Sequence, residues 1–232
     1  MNARDRLIVA LDVPKADAAR ALVDRLAGRV GMFKVGSQAF TAAGPALVRE
    51  IVGRGEKVFL DLKFHDIPNT VAGAVASASR LGVALVDVHG LGGRAMLEAA
   101  VGALPAMATR LLAITILTSH NEDTLDEIGV NGTMLDSVRR LALLAKEAGA
   151  DGVVASPHEV ALIREACGSD FLIVTPGIRP AGAARGDQSR AATPGAALAA
   201  GADYIVVGRP ITEAPDPATA ADAIVREMEG AG

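Results

Sequence analysis

The chain has few of the residues that build disulfides, aromatic sites or membrane spans. Its 232 residues include no Trp, one Tyr, five Phe and one Cys. A single cysteine excludes an intrachain disulfide and a cysteine metal cluster, and Cys167 follows the helical stretch Glu159–Ala166, which predicts a buried structural thiol. The apolar runs are too short for a signal sequence or a membrane-spanning helix, so we expect a soluble, cytoplasmic protein.

Charge and composition narrow the class of protein further. The net charge of −4 and the lack of any long basic run give no support to nucleic-acid binding. Four histidines without a carboxylate–histidine ligand pattern make a metal site unexpected. Half of the residues are hydrophobic, and most of these are Ala, Val, Leu and Ile, which suits helices packed on parallel strands.

Short apolar runs alternate with longer helical segments along the whole chain. Segments such as Lys15–Leu26 and Met134–Ala148 carry apolar residues at helical spacing. The eight runs that we predict as strands are Leu7–Leu11, Met32–Val35, Lys57–Leu60, Ala84–Val88, Leu111–Ile116, Gly152–Ala155, Phe171–Val174 and Tyr204–Val207.

Strict alternation of strands and helices implies right-handed parallel crossovers. Eight such units in 232 residues, close to the ~250 typical of the fold, predict an α/β protein: a (β/α)8 TIM barrel that forms a single domain over residues 1–232. The alternative is an open doubly wound sheet, which is disfavoured because no Gly-x-Gly-x-x-Gly motif follows the first strand.

The most informative segment is Asp61–Thr70, which follows a buried strand. If that strand continues through Lys63, then Asp61 and Lys63 point to the same face, and Asp66 lies in the loop beyond. Buried carboxylates and ammonium groups are costly to desolvate unless they pair or perform chemistry. The alternative is a solvated loop that carries these charges by chance.

The carboxyl ends of barrel strands form the active site, so polar residues matter most where an apolar run stops. We expect Asp87 and His89, after strand four, to be hydrogen-bonded structural residues more often than ligands. His158 is expected in the first turn of a helix without a chemical role. The other polar strand ends carry Asp12, Lys34, Thr115, Thr118, Ser119, Ser156, Thr175 and Arg179.

The last two strand ends predict a phosphate site. Gly208 allows close approach of the backbone to an anion, Arg209 offers a planar fork of donors, and Pro210 suits the first turn of a helix. The polar stretch Arg179–Thr193 is long for a compact barrel and predicts a lid. A plain surface turn is the alternative for Gly208-Arg209.

These motifs together resemble the bacterial orotidine 5′-phosphate decarboxylase family. The resemblance covers about Leu7 to Thr212, and its separate motifs fall on predicted strand ends in one order. They are Val9–Asp12, Phe33–Gly36, Asp61–Thr70, Thr175–Pro180 with Gly186–Gln188 and Thr193-Pro194, and Val207–Thr212.

The resemblance implies loss of CO2 from C6 of orotidine 5′-monophosphate to give UMP, the last step of de novo pyrimidine biosynthesis. It implies no metal or organic cofactor. Lys34, Asp61, Lys63 and Asp66 would form an alternating ionic network. Lys63 would stabilise the C6 carbanion and protonate it, while Asp61 would lie near the departing carboxylate, either stressing it or positioning Lys63.

The resemblance also implies a homodimer with shared active sites, in which Asp66 and Thr70 come from the neighbouring subunit. Ile67 is a further substrate-binding residue. Of the remaining substrate-binding residues, Asp12 and Lys34 would hold the ribose, Thr118 the pyrimidine, Gln188 the base and phosphate, and Arg179, Arg209 and the Gly208 backbone the phosphate.

Two other functions stay open at this point. A sugar-phosphate decarboxylase or aldolase on the same barrel would share the Asp-x-Lys-x-x-Asp element but would need a divalent metal. A non-catalytic phosphate-binding barrel would keep Arg179 and Arg209, yet it would have no use for the acidic and basic groups after strand three.

Overall fold

Eight parallel strands close into a barrel in sequence order, as a computed structural model that describes residues 1–104, 109–180 and 192–230 shows. The predicted (β/α)8 barrel is confirmed, and the open-sheet alternative is wrong. That residues 1–232 form one domain stays a prediction, because three short stretches lie outside the described residues. The strands are β1 Leu7–Ala10, β2 Met32–Gly36, β3 Val58–Phe64, β4 Leu85–His89, β5 Arg110–Ile114, β6 Gly152–Val154, β7 Leu172–Thr175 and β8 Tyr204–Val207.

Seven of the predicted strands agree with the observed ones to within two residues, whereas β3 extends four residues beyond the end of the apolar run Lys57–Leu60. An apolar run stops at the first charged residue, whereas β3 continues through Asp61 and Lys63 to Phe64. Its ladder with β4 shifts register between Leu60 and Phe64, so the end of the strand is irregular. Strand propensity alone does not show such an extension.

Helices surround the barrel, and those predicted at Lys15–Leu26 and Met134–Ala148 are confirmed within one residue. The Thr133 side chain accepts a hydrogen bond from the Asp136 N–H and so begins one of them. None of the helices in the described residues is long and apolar enough to span a bilayer. The described helices are α1 Ala16–Leu26, α2 Ser37–Gly53, α3 Pro68–Ser79, α4 Gly93–Gly102, α5 Glu122–Glu127, α6 Met134–Glu147, α7 Val160–Cys167, α8 Pro194–Ala199, α9 Arg209–Thr212 and α10 Pro217–Glu229.

The hydrophobic core has two layers, one between strands and helices and one inside the barrel. Cys167 is buried in the outer layer, as predicted. Because side chains alternate along a strand, inward positions of the barrel lead directly from apolar to charged residues, as from Phe59 to Asp61 and from Leu85 to Asp87. The inner layer consists of Ile8, Ala10, Met32, Phe59, Leu85, Leu112, Val174 and Val206.

Candidate active site

A cavity of about 420 Å³ opens at the carboxyl ends of the strands. Ala10, Phe59 and Val206 of the inner core layer form its floor, and its size is ordinary for a site that takes a small molecule. Thr118 lines it, as predicted. The charged side chains in its wall are Asp12, Lys34, Asp61, Lys63, Arg179, Arg209 and Glu213.

Four of these charges form a chain of alternating sign: Asp12 just after β1, Lys34 on β2, and Asp61 and Lys63 on β3. The Lys34 Nζ donates to Asp12 Oδ1 at 3.0 Å and lies 3.0 Å from Asp61 Oδ2. The Lys63 Nζ donates to the other oxygen, Asp61 Oδ1. The expectation that Asp61 and Lys63 meet on one face is therefore correct, and the solvated-loop alternative is wrong for these two residues.

The lack of a side chain at Gly36 leaves room for the contact between Lys34 and Asp12. A Cβ at position 36 would lie 2.9 Å from Lys34 Nζ and 3.0 Å from Asp12 Oδ1, so a larger residue would displace these two side-chain ends. Gly36 pairs with Asp61 across the β2–β3 ladder, which places it beside the network. Its part in the site was missed from the sequence, although its spacing two residues after Lys34 was a usable signal.

Burial and pairing act in opposite directions on the ionisation of Asp61 and Lys34. Burial raises the pKa of Asp61, but the Lys34 ammonium, a hydrogen bond with Asp87 and Lys63 together outweigh it, and the pKa is lowered. Burial lowers the pKa of Lys34, but the carboxylates of Asp61 and Asp12 outweigh it, and the pKa is raised. Both groups therefore stay charged at neutral pH.

Lys63 has an unusual backbone, with φ of 51°, the one positive value outside glycine among the described residues. A left-handed lysine costs roughly 1–2 kcal/mol, and such strain persists where surrounding contacts enforce it. Here the Lys63 N–H donates to Asp87 Oδ1 at 2.8 Å. The prediction that Asp87 is a hydrogen-bonded structural residue is confirmed, but the group that it holds is the backbone of Lys63.

Three histidines lie beside the network: His65 and His89 at the ends of β3 and β4, and His120 in the segment after β5. The rings of His65 and His89 stack with their centroids 5.3 Å apart. The His89 Nδ1 accepts the Leu91 N–H at 3.3 Å, so this nitrogen carries no proton. Burial, together with the charges of His65, Lys63 and His120, lowers the pKa of His89 to about 4. The fourth, His158, is exposed in a short helical turn, as predicted.

Another part of the cavity wall, at the ends of β7 and β8, brings together two guanidinium groups, those of Arg179 and Arg209. Burial, and then the charge of the neighbouring Arg209, lowers the pKa of Arg179. Gly208 precedes α9, and Pro210 lies in the first turn of that helix, as predicted. Two like charges at the end of β7 and β8 suit an anion with several oxygens, because each guanidinium can donate two parallel hydrogen bonds.

Some predicted residues lie away from the cavity or outside the described residues. Asp66, Ile67 and Thr70 are exposed and do not line the cavity, and Asp66 Oδ1 accepts the Ile67 N–H at 2.6 Å. Gln188 lies outside the described residues, as does most of the predicted lid. The ends of that lid meet, because the Arg179 N–H donates to the Ala192 carbonyl at 2.9 Å.

In the described part of the chain, no group of three or more His, Cys, Asp or Glu side chains is placed to hold a metal ion. A closed barrel whose mouth holds an alternating ion chain and two arginines in one cavity defines a class: a (β/α)8-barrel protein with a charged site for a small molecule.

Comparison with known proteins then gives the family. The model of the orotidine 5′-phosphate decarboxylase / HUMPS family matches residues 5–224, so the chain belongs to this family. An orotidine 5′-phosphate decarboxylase from Moorella thermoacetica is 56% identical over 237 residues, covering 99% of this chain and 94% of that protein. One from Halorhodospira halophila is 58% identical over 229 residues, covering 98% and 97%.

Solved structures agree with this result. The crystal structure of orotidine 5′-phosphate decarboxylase from Lactobacillus acidophilus superposes with a TM-score of 0.85 and 41% identity, covering 96% of this chain and 98% of that one. An uncharacterized conserved protein from Geobacillus kaustophilus gives a TM-score of 0.84 at 40% identity, with 96% and 99% coverage.

Proposed function

We propose that the chain decarboxylates orotidine 5′-monophosphate to UMP in the cavity at the mouth of the barrel. The observation that carries this proposal is one cavity whose wall holds both the chain Asp12–Lys34–Asp61–Lys63 and the pair Arg179 and Arg209. Family membership and the names of the relatives support the same reaction. We also infer a cytoplasmic location, where the nucleotide would be made.

The chemical difficulty of this reaction lies in the electron pair left at C6. When the bond from C6 to the carboxylate breaks and CO2 leaves, that pair lies in the plane of the pyrimidine ring, where the π system cannot delocalise it. In the proposed mechanism the Lys63 ammonium stabilises the pair and then transfers a proton to C6. A fixed charge in a site with little water does this without reorganisation during the reaction.

Asp61 supports this role because it contacts both lysines through different oxygens. Its lowered pKa keeps it ionised, so it fixes the Lys63 ammonium rather than competing for its proton. These contacts favour a positioning role for Asp61. Stress on the departing substrate carboxylate is a further effect that we do not need for the proposal.

The remaining contacts are those that the resemblance to the family implies. Asp12 and Lys34 would hold the ribose hydroxyls, and Thr118 would approach the pyrimidine. The phosphate dianion would lie between Arg179 and Arg209, next to the Gly208 backbone. Gln188, which is outside the described residues, would bridge base and phosphate.

We further propose a homodimer in which Asp66, Ile67 and Thr70 complete the site of the neighbouring subunit. This proposal is supported by their absence from the wall of their own cavity and by the 67% exposure of Ile67, large for an apolar side chain. Asp66 from the partner would then stand next to Lys63 and extend the alternating chain from four members to five.

Mixing two inactive variants tests the shared site. Lys63→Ala and Asp66→Asn chains should each be nearly inactive as homodimers. In the heterodimer one site carries both defects and the other carries neither, so activity should recover towards half of wild type per heterodimer. Native mass spectrometry checks that subunits exchange. Exchange without recovery would show that Asp66 serves its own chain.

The fall in ultraviolet absorbance when the protein meets orotidine 5′-monophosphate tests the reaction itself. The protein should first be treated with EDTA, and Lys63→Ala is the matched control. We expect full activity after this treatment. Inhibition by EDTA would favour a metal-dependent sugar-phosphate decarboxylase or aldolase, and binding without any absorbance change would favour a non-catalytic phosphate-binding barrel.

A further inference from the structure

Asp87 is a buried carboxyl group that the proposed mechanism does not yet use. It lies on β4 with 0% of its surface exposed, two residues beyond Leu85 of the inner core layer. Its Oδ1 accepts the backbone N–H of Lys63 at 2.8 Å. The paired residue on the other side, on β5, is the apolar Leu112. Asp87 therefore lies between the inner core layer and the ion network, and its side chain is fully buried.

The second carboxyl oxygen of Asp87, Oδ2, is buried, and no hydrogen-bond donor in the described part of the chain reaches it. Because Leu60 pairs with Val86 across the β3–β4 ladder, Asp61 and Asp87 are the next residues on neighbouring strands, and the charge of Asp61 acts on Asp87. Two ionised carboxylates are both acceptors and cannot bond to each other, so a hydrogen bond between them requires a proton on one.

The contacts of Asp61 decide which group holds that proton. Asp61 is bound by the ammonium groups of Lys34 and Lys63 through its two oxygens, and these charges stabilise its anion. Among the described residues, the donor that Asp87 accepts from is the Lys63 backbone N–H, and the carboxyl group is fully buried, which disfavours its anion. The proton is therefore expected on Oδ2 of Asp87.

We propose that Asp87 is a positioning residue that is protonated at neutral pH, accepting the Lys63 N–H through one oxygen and donating its own O–H to Asp61. Burial and the charge of Asp61 raise its pKa well above the usual range, against the opposing effect of Lys63. Its consequence for catalysis rests on the proposed decarboxylation, whereas its protonation does not.

A neutral Asp87 serves the network in two ways. It fixes the left-handed backbone of Lys63 and orients the carboxylate that holds the Lys63 ammonium. An ionised Asp87 would add a second negative charge beside Asp61 and would lose its donor. That charge would weaken the field that stabilises negative charge at C6.

Two substitutions separate a neutral donor from an anion. The side chain of Asp87→Asn can accept the Lys63 N–H through its carbonyl and donate to Asp61 through its amide, as a carboxylic acid does. Asp87→Ala removes both bonds. We expect Asp87→Ala to lower kcat at least tenfold with a smaller change in KM, and Asp87→Asn to recover most of that loss. Loss of kcat in Asp87→Asn equal to that in Asp87→Ala would overturn the proposal.

An infrared measurement tests the proton without substrate. Wild type at neutral pH should show the carbonyl stretch of a protonated carboxylic acid, and Asp87→Asn should lack it. Because the folded pKa of Asp87 is raised, its contribution to stability is complete below the ordinary pKa and is lost as pH rises through the folded value. Asp87→Asn should therefore gain unfolding midpoint relative to wild type as pH rises. No difference band and parallel pH profiles would overturn the proposal, even if wild type decarboxylates its substrate.

Discussion

Two regions of the cavity wall differ in the arrangement of their charges. From the end of β1 to β3 the charges alternate in sign, and Lys34, Asp61 and Lys63 form ion pairs with one another without a ligand. At the ends of β7 and β8 are two guanidinium groups of the same sign, here called the arginine wall, and burial together with the charge of Arg209 lowers the pKa of Arg179. The first region is organised in advance, whereas the second is suited to an anion that offsets its charge.

This difference suggests that the two regions act on different parts of the substrate, the network on the reacting ring and the arginines on the phosphate. An alternating network compensates the cost of desolvating its members, so it can remain buried at the reacting end of the cavity. The arginine pair gains most when a phosphate dianion enters. That gain would be available to drive closure of the predicted lid Arg179–Thr193, whose ends are joined by the hydrogen bond from the Arg179 N–H to the Ala192 carbonyl.

The largest expected effect is loss of turnover when the last cation of the network is removed. Lys63→Ala should abolish detectable decarboxylation, because loss of a positioned general acid costs ~10²–10⁴-fold and loss of the field adds to it. Lys57→Ala is the matched control, since Lys57 is exposed just before the opposite end of β3. Steady-state kcat of both purified variants is the measurement.

Binding must be checked in the same variant. Lys63→Ala should fold and should still bind UMP through the arginine wall, as circular dichroism and calorimetry would show. If it kept more than about a tenth of wild-type kcat, the role assigned to Lys63 would be wrong.

The second prediction concerns the arginine wall and substrates that lack the phosphate. If phosphate binding drives lid closure, orotidine should react with a much lower kcat than its 5′-phosphate, not only a higher KM. Arg209→Ala should reduce kcat/KM for the nucleotide by roughly 10²-fold or more, since a charge-assisted bidentate contact is lost, yet barely alter the slow reaction of orotidine.

Free phosphite sharpens this test because it fills the anion site without being part of the substrate. It should partly restore the reaction of orotidine in wild type, and less in Arg209→Ala. Arg29→Ala, on the outer surface in an ion pair with Asp222, is the control and should match wild type. Equal kcat for orotidine and its 5′-phosphate would show that Arg179 and Arg209 contribute to substrate binding and not to turnover.

The sequence predicted the barrel because each strand is a short apolar run and each run ends in polar residues. It predicted the meeting of Asp61 and Lys63 because side chains alternate along a strand. It could not show the left-handed backbone of Lys63 or the contact with Asp87, which depend on the register shift between β3 and β4. The roles of Asp66 and Thr70 stay predictions, since they need a second subunit.

The smallest expected effect concerns the histidines beside the network. An unfolded histidine has a pKa near 6.5, whereas the folded pKa of His89 is about 4, so between these values the unfolded chain binds more protons. His89 should therefore reduce stability as pH falls from about 6.5 towards 4. Because the ring is only half-buried, solvent screening limits the effect to ~1–2 kcal/mol.

Urea unfolding between about pH 7 and pH 4.5 measures this effect. His89→Asn keeps an oxygen that can accept the Leu91 N–H but has no group that titrates, so its stability should fall less on acidification than that of wild type. His158→Asn, which changes an exposed histidine, should follow wild type. The same slope for wild type and His89→Asn would show that protonation of the ring stacked on His65 does not limit stability in acid.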